Sequence, residues 1–411
     1  VGNFNSQQAL SAVGSCASLT ALFTALAIGF SVGAGVLISQ YFGANRLEDL
    51  RRYASSSIVL MLALGLLMSV LGFCSAELFL EKFLGTPQSL LPQAALYFKI
   101  YAVGLVFQFG YNIAAAILRA LGDSRATLYF LLVSSVLNVV LDLLFVAGFH
   151  MGVAGAAIAT VLSQLASCVV GFSYMRRRYE LLRFSARELR LDRTAAARVL
   201  QIGAPMALQQ SIVSCGFLFL QKLVNLFGES MIASYTVASR MENILMIPII
   251  GIQNTMATYA GQNAGAGKVD RIRQGVRSAT LIGGIYSIAA CIVLTVFGGV
   301  IPLLFVDASE TVVIHQAHQF LTFNSLFYIP LTIVNVWRFT IQGMGYSLLA
   351  ILAGVCEMIA RAMVGFLLVP IFGYIIICFA SPLAWLLADA FLIPAFFYCQ
   401  KHLLSEKARM D

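Results

Sequence analysis

Few side chains in this 411-residue chain could do chemistry, and the most informative of them lie inside apolar stretches. Asp142 stands near the end of an apolar run that leaves a basic segment around Arg119 and Arg125. It lies about five residues, or roughly 8 Å, short of a hairpin at 148–152. Asn138 is one helical turn deeper on the same face. Thr160 is about eight residues into the returning stretch, roughly 12 Å from the hairpin. Three oxygen-bearing side chains at similar depth on neighbouring helices suit a hard monovalent cation. They suit a proton equally, since a proton and a cation neutralise the same carboxylate charge in turn. A carboxylate that merely bonds its neighbours would leave the same trace in the sequence, and both readings stand at this point.

The other ionisable groups within apolar runs are Glu242, Glu357, Asp389, Lys99, Lys222, Arg240 and Arg361. Such residues mark functional sites by default because a charge is costly in a bilayer. Glu357 and Arg361 are spaced i, i+4 and read as a structural ion pair. Glu242 and Arg240 are two residues apart and do not share a helix face, so Glu242 needs another partner or a water-filled cavity. Asp389 follows Trp385 by one turn. Gln209, Gln210, Asn335 and Tyr328, together with Glu242, form a candidate cavity for flat, amphipathic cations. The phenylalanines around them (Phe217, Phe219, Phe323 and Phe327) read equally as lipid or core contacts.

Eight cysteines lie in or beside apolar runs with no CxxC pair, so neither a metal site nor a disulfide is expected. The sequence has no paired carboxylates, no HExxH, no GxSxG and no Walker-type loop. An enzyme, such as a membrane-embedded lipid transferase, is therefore disfavoured. No cofactor is expected, and energy must come from an ion gradient, of protons or of sodium, or from another subunit.

The elements that carry these residues are eleven long apolar stretches, near 12–40, 54–76, 92–118, 126–147, 152–175, 199–227, 231–261, 276–301, 317–342, 347–369 and 374–399. Only 11% of residues are charged, and the mean hydropathy is +0.88, which together give an all-α polytopic membrane protein. The net charge of +8 does not point to nucleic acid, because the basic residues fall in alternate gaps. Arg46, Arg51 and Arg52 occupy one, eight arginines from Arg176 to Arg198 another, and Arg338 borders a further one. Glu77, Glu81, Glu229, Asp307 and Glu310 lie in the intervening gaps, with Lys82 the single basic residue among them. By the positive-inside bias the arginine-rich gaps and the C-terminus are cytoplasmic. Counting back through eleven spans puts Val1 outside, and with no exporting signal the expectation is one more helix upstream, twelve in all.

The longest polar interval separates an expected N-terminal lobe, 1–178, from a C-terminal lobe, 199–411, with 179–198 as a cytoplasmic linker. The halves resemble each other at an offset of about 222 residues: Gln40–Ala44 parallels Gln262–Ala266, and Asn112–Ser124 parallels Asn335–Ser347. Six helices per half give parallel repeats, and transporter sites lie between repeats. Glycines such as Gly29, Gly33, Gly152 and Gly155 fit close helix packing. Pro205, Pro248, Pro330, Pro382 and Pro394 concentrate kink-capable positions in the second half.

As an ordered set, Leu118–Ser124 (LRALGDS), Leu137–Asp142 (LNVVLD), Gly152–Thr160 (GVAGAAIAT), Ala260–Ala266 (AGQNAGA) and Glu357–Arg361 (EMIAR) resemble the multidrug and toxic compound extrusion family along nearly the whole chain. The resemblance implies two six-helix bundles forming a V, and export of amphipathic, often cationic organic compounds by antiport with protons or sodium. It implies a coupling-cation site at Asn138, Asp142 and Thr160, completed by an acid on a first helix that this chain does not contain. It further implies a monomer in the inner membrane of a prokaryote. Spans 201–227 and 318–346 lack the acids that some family members use for a C-lobe sodium site, offering Gln209, Gln210, Asn324 and Asn335 instead. The coupling site is thus expected in the N-lobe. A flippase for lipid-linked saccharides, from the same superfamily, is the alternative and would require several free basic residues in its cavity.

Overall fold

In lipid, every backbone N–H and C=O must be bonded within its own segment, so apolar runs of this length close into helices. The computed structural model describes residues 7–410 apart from 85, 186, 305, 307 and 308. Val1 and Asp307, which enter the topology reading, lie outside the described residues. The α-helices are α1 (Gln7–Gly43), α2 (Leu47–Leu78), α3 (Leu91–Val103), α4 (Leu105–Ala120), α5 (Ser124–Asp142), α6 (Gly152–Arg178) and α7 (Arg193–Asn225). They continue as α8 (Glu229–Gly265), α9 (Val269–Phe297), α10 (Thr311–Ser325), α11 (Tyr328–Gly343), α12 (Ser347–Met363), α13 (Val369–Phe372) and α14 (Ala380–Met410). Among the described residues, nine helices are long and apolar enough to cross a membrane, and two further spans are bent pairs, which makes eleven. The protein is a multi-pass, all-helical membrane protein.

The chain forms two compact units, Val1–Ala207 and Leu208–Asp411. Each contains the same run of elements. After the stretch of α7 that opens the second unit (208–225), two long helices run in each, α1 and α2 or α8 and α9, and a bent pair follows. The bend is 44° between α3 and α4 and 53° between α10 and α11. Next comes a helix that continues as a π-helix: α5 into Leu143–Gly148, and α12 into Val364–Leu368. A further long helix, α6 or α14, closes the set. Even the turns agree, with Gly122 at φ 92° before α5 and Gly345 at φ 97° before α12. That left-handed backbone suits glycine at both places.

The breaks have local causes. Pro330 has no N–H to offer the carbonyl four residues earlier, and the chain bends at that point, between Ser325 and Tyr328. The first unit bends at Gly104, whose missing side chain leaves room for Val161 and Gln164 of α6. Pro205, Pro248 and Pro394 sit inside helices that run through them. The prolines are concentrated in the second half, yet each unit has one sharply bent span.

Between helices in lipid, close packing of small residues does much of the work. A Cβ on Gly29 would stand 2.2 Å from the Ala207 Cα, and one on Gly33 would stand 2.4 Å from the Gly203 Cα. Here α1 and the start of α7 touch backbone to backbone.

The arginine-rich interval between α6 and α7 is docked onto the start of α2. Arg51 donates to the carbonyls of Leu181 and Arg183 (both 2.9 Å) and to Glu188 (2.7 Å). Arg52 donates twice to Asp192 Oδ2, at 2.9 and 2.6 Å. Asp192 Oδ1 in turn accepts from the backbone N–H of Ala195 in the first turn of α7.

Candidate functional site

In the first unit, α5 is fixed at its start by Asp123. One carboxylate oxygen caps the helix through Ala126 N–H, and the other accepts from the Tyr174 and Tyr179 hydroxyls at 2.9 and 3.1 Å. This ties the beginning of α5 to the end of α6, and the two helices pack along each other. At the other end of α5, Asp142 and Thr160 line one cavity of about 270 Å³, together with Val13, Tyr97, Leu143, Val146 and Ala156. Asp142 is half-buried, and its Oδ1 has no hydrogen-bond partner among the described residues. Thr160 Oγ1 donates to the Ala156 carbonyl at 3.0 Å, which leaves its lone pairs available. Asn138 is half-buried with an unpartnered Nδ2, but it is not among the residues lining the cavity.

Tyr97 is the member of this site that sequence reasoning missed. It comes from α3, and its ring stacks on Tyr101 at 6.5 Å. The Tyr101 hydroxyl donates to Gln108 Oε1 (3.0 Å), and Gln108 Nε2 donates to Thr24 Oγ1 (2.8 Å). The polar lining thus continues from the cavity into the interior of the unit. The Tyr97/Tyr101 spacing at i, i+4 was the only signal in the sequence, and it does not reveal Asp142 as a neighbour.

The second unit holds a closed cluster of charges. Glu357 and Arg361 pair as the spacing predicts, at 3.2 Å through Oε2. The same carboxylate also binds Arg338 through Oε1. Arg338 is therefore not a marker of a loop at the membrane surface. It is 4% exposed, because α11 turns it toward α12, and a guanidinium there needs an anion. Arg361 is 1% exposed, with its guanidinium 4.9 Å from the Phe217 ring centroid. Gly216 makes the room: a Cβ there would stand 2.7 Å from Arg361 Nη1.

The residues expected around a substrate cavity are mostly enclosed. Gln209, Asn335 and Tyr328 are buried. Gln209 accepts from Gln342 at 3.4 Å, Asn335 donates to its own helix at Leu331, and Tyr328 packs 6.3 Å from Trp385. The Gln210 carbonyl accepts from Ser214, and its side chain is half-buried. Glu242 is half-buried, makes no ion pair or hydrogen bond among the described residues, and lies within electrostatic reach of Tyr235 and Tyr328.

The sequence profile of the MatE family matches residues 1–144 and 205–367, which is most of the chain. The chain belongs to the MatE family. Among curated relatives, a Bacillus subtilis protein named probable multidrug resistance protein YpnP is 29% identical over 80% of this chain and 73% of its own length. A Thermotoga maritima relative, named probable multidrug resistance protein NorM, is 24% identical over 84% of this chain and 74% of its own. Multidrug export protein MepA from Staphylococcus aureus is 23% identical over 86% and 79%. The fold matches a MATE crystal structure in complex with MaL6, with a TM-score of 0.89 at 21% identity, covering 98% of this chain and 90% of that one. It also matches a MOP superfamily transporter from Pyrococcus furiosus, with a TM-score of 0.88 at 21% identity, covering 98% and 89%. As a MatE protein the chain is a membrane transporter and not an enzyme.

Proposed function

We propose that this MatE protein is a secondary multidrug antiporter, exporting amphipathic, often cationic organic compounds in exchange for protons or sodium ions. The observation that carries the coupling role is the cavity shared by Asp142 and Thr160, in which Asp142 Oδ1 is unpartnered. A carboxylate oxygen, a threonine hydroxyl and the nearby Tyr97 phenol offer oxygen ligands to a small cation. A proton on Asp142 occupies the same carboxylate and excludes that cation, and each exchange resets the charge of the site. Asn138, one turn from Asp142, holds the cation or the carboxylate with its side-chain amide once the site fills.

In this reading 1–178 and 199–411 act as two lobes joined through 179–198. The arginine-rich gaps and the C-terminus face the cytoplasm, and the protein works as a monomer in the inner membrane of a prokaryote. Gln209, Gln210, Glu242, Asn335 and Tyr328 belong to the substrate path of the second lobe. Glu242 is the group that attracts the cationic part of the substrate, since it carries no partner of its own. A basic cavity for an anionic lipid has less support. Lys99 is paired with Glu77 at 2.6 Å, and Arg338 and Arg361 both bind Glu357.

The test is efflux of a fluorescent organic cation from vesicles containing the full-length protein, under an imposed proton gradient and then a sodium gradient. Asp142→Asn is expected to abolish gradient-driven efflux and leave substrate binding intact. Undiminished efflux in the variant would reduce Asp142 to a structural residue.

A further inference from the structure

We propose that Asp389 is a second proton-carrying residue, located in the second unit and linked by charge to the Arg338–Glu357–Arg361 cluster. Asp389 is 7% exposed near the middle of α14, and its Oδ1 has no partner among the described residues. Trp385 is one turn away on the same buried face. The elements packed on α14 bring several described ionisable groups to the unit around Asp389. From α12 come Glu357 and Arg361, and from α11 come Arg338 and Tyr328. Arg338 and Glu357 both lie within electrostatic reach of Asp389. From α9, Arg273 meets α14 at Gln400, three turns further along. The 3-10 segment Gly373–Phe379 contributes the thiol of Cys378, near the start of α14.

The charge balance selects Asp389 as the titrating group. Two guanidiniums share one carboxylate, so the triad carries one uncompensated positive charge. An ionised Asp389 cancels that charge, and a protonated one leaves it in place. Each Glu357 oxygen already takes a guanidinium bond, whereas Asp389 Oδ1 has no partner among the described residues. Among the described residues, buried donors also remain unpartnered at Arg338 Nε, Arg361 Nε and Arg361 Nη1. Taking up a proton at Asp389 removes the attraction between α14 and the arginine-bearing helices, and losing it restores that attraction. The proton thus acts on helix packing within the unit, at a place separate from the Asp142 cavity.

The transport consequence rests on the antiport reading above, but the titration does not. The decisive experiment is infrared difference spectroscopy of the full-length protein in lipid across a pH titration, following the carbonyl band of protonated carboxyl groups. Asp389→Asn is expected to remove one titrating band that persists in Asp142→Asn. A variant spectrum superimposable on the wild type would overturn the proposal. Should Asp389→Asn not fold, Arg338→Gln serves instead: it is expected to shift the pH at which that band titrates, while Arg338→Lys leaves it near the wild-type position. A band insensitive to Arg338→Gln would also overturn it. Vesicles then separate the two readings. Wild-type efflux driven by neither ion gradient ends the antiport interpretation, whereas the Asp389 band stands or falls on its own. Where protons drive efflux, Asp389→Asn is expected to lower the number of protons moved per substrate.

Discussion

The α5 and α12 helices occupy matching places in the two units, follow matching glycine turns and end in matching π-helices, yet they carry opposite electrostatic arrangements. On α5, a half-buried carboxylate, with one oxygen unpartnered among the described residues, opens into a cavity. On α12, a carboxylate is closed between two guanidiniums, and all three groups are buried. The same scaffold therefore carries a carboxylate oxygen left unpartnered among the described residues in one unit and a doubly paired carboxylate in the other. What decides between them is the supply of partners from neighbouring helices. The facing residues near Asp142 are neutral, Tyr97 and Thr160, while α11 brings Arg338 to Glu357.

The comparison breaks most visibly at Glu357. Replacing it by Gln leaves two buried guanidiniums without their shared anion, a loss of about 3–5 kcal/mol where a buried pair is broken from one side. Thermal unfolding in detergent is expected to show a large drop for Glu357→Gln and a much smaller one for Asp142→Asn. Equal drops would mean that the two carboxylates are equally structural.

Thr160→Val sharpens the open half of the comparison. It keeps the shape and removes one oxygen, and a lost bond to a charged group costs about 1.5–3 kcal/mol. Sodium-driven efflux that needs at least tenfold more sodium, with proton-driven efflux intact, would assign sodium as the coupling ion. No change under either gradient would remove Thr160 from the site.

The smallest effect is expected in the docked segment before α7, where charges are paired but wet. The Ser185 backbone N–H, then Arg51 and the Ser185 hydroxyl, hold the Glu188 carboxyl down to about 2. Because this lies below the ordinary carboxylate range, its stabilising effect is complete above that range and fades as the pH falls toward 2. Amide exchange in 183–190 is expected to be modestly faster in Glu188→Gln at neutral pH. The difference from wild type should vanish in strong acid. A difference that persists there would point to packing in place of charge.

Much of this was legible in the sequence. Apolar length located the spans, and Asp142 and Thr160 could be placed at similar depths because helix rise converts residue counts into distance. The Glu357–Arg361 pair followed from the i, i+4 rule alone. Tyr97 and Arg338 were not legible, because each meets its partner across a helix interface. The bend at Gly104 was missed too, since its cause is the side chains of α6 pressing on that one position. Pro330 is visible in the sequence, and its effect falls four residues earlier, where its missing donor would have bonded.

The π-helix that follows Asp142 bears on how such a chain tolerates a change in length. Elsewhere in α5, losing one residue would rotate everything beyond it by roughly 100°. Within Leu143–Gly148 the backbone already carries a surplus, since a π turn is an α turn holding an extra residue. A single deletion there is absorbed by reverting to α-helical winding, with Asp142 and the residues before it kept in register. The matching surplus at Val364–Leu368 gives the second unit the same slack. At each of these two short segments the repeat can lose a residue and still present the charge that precedes it.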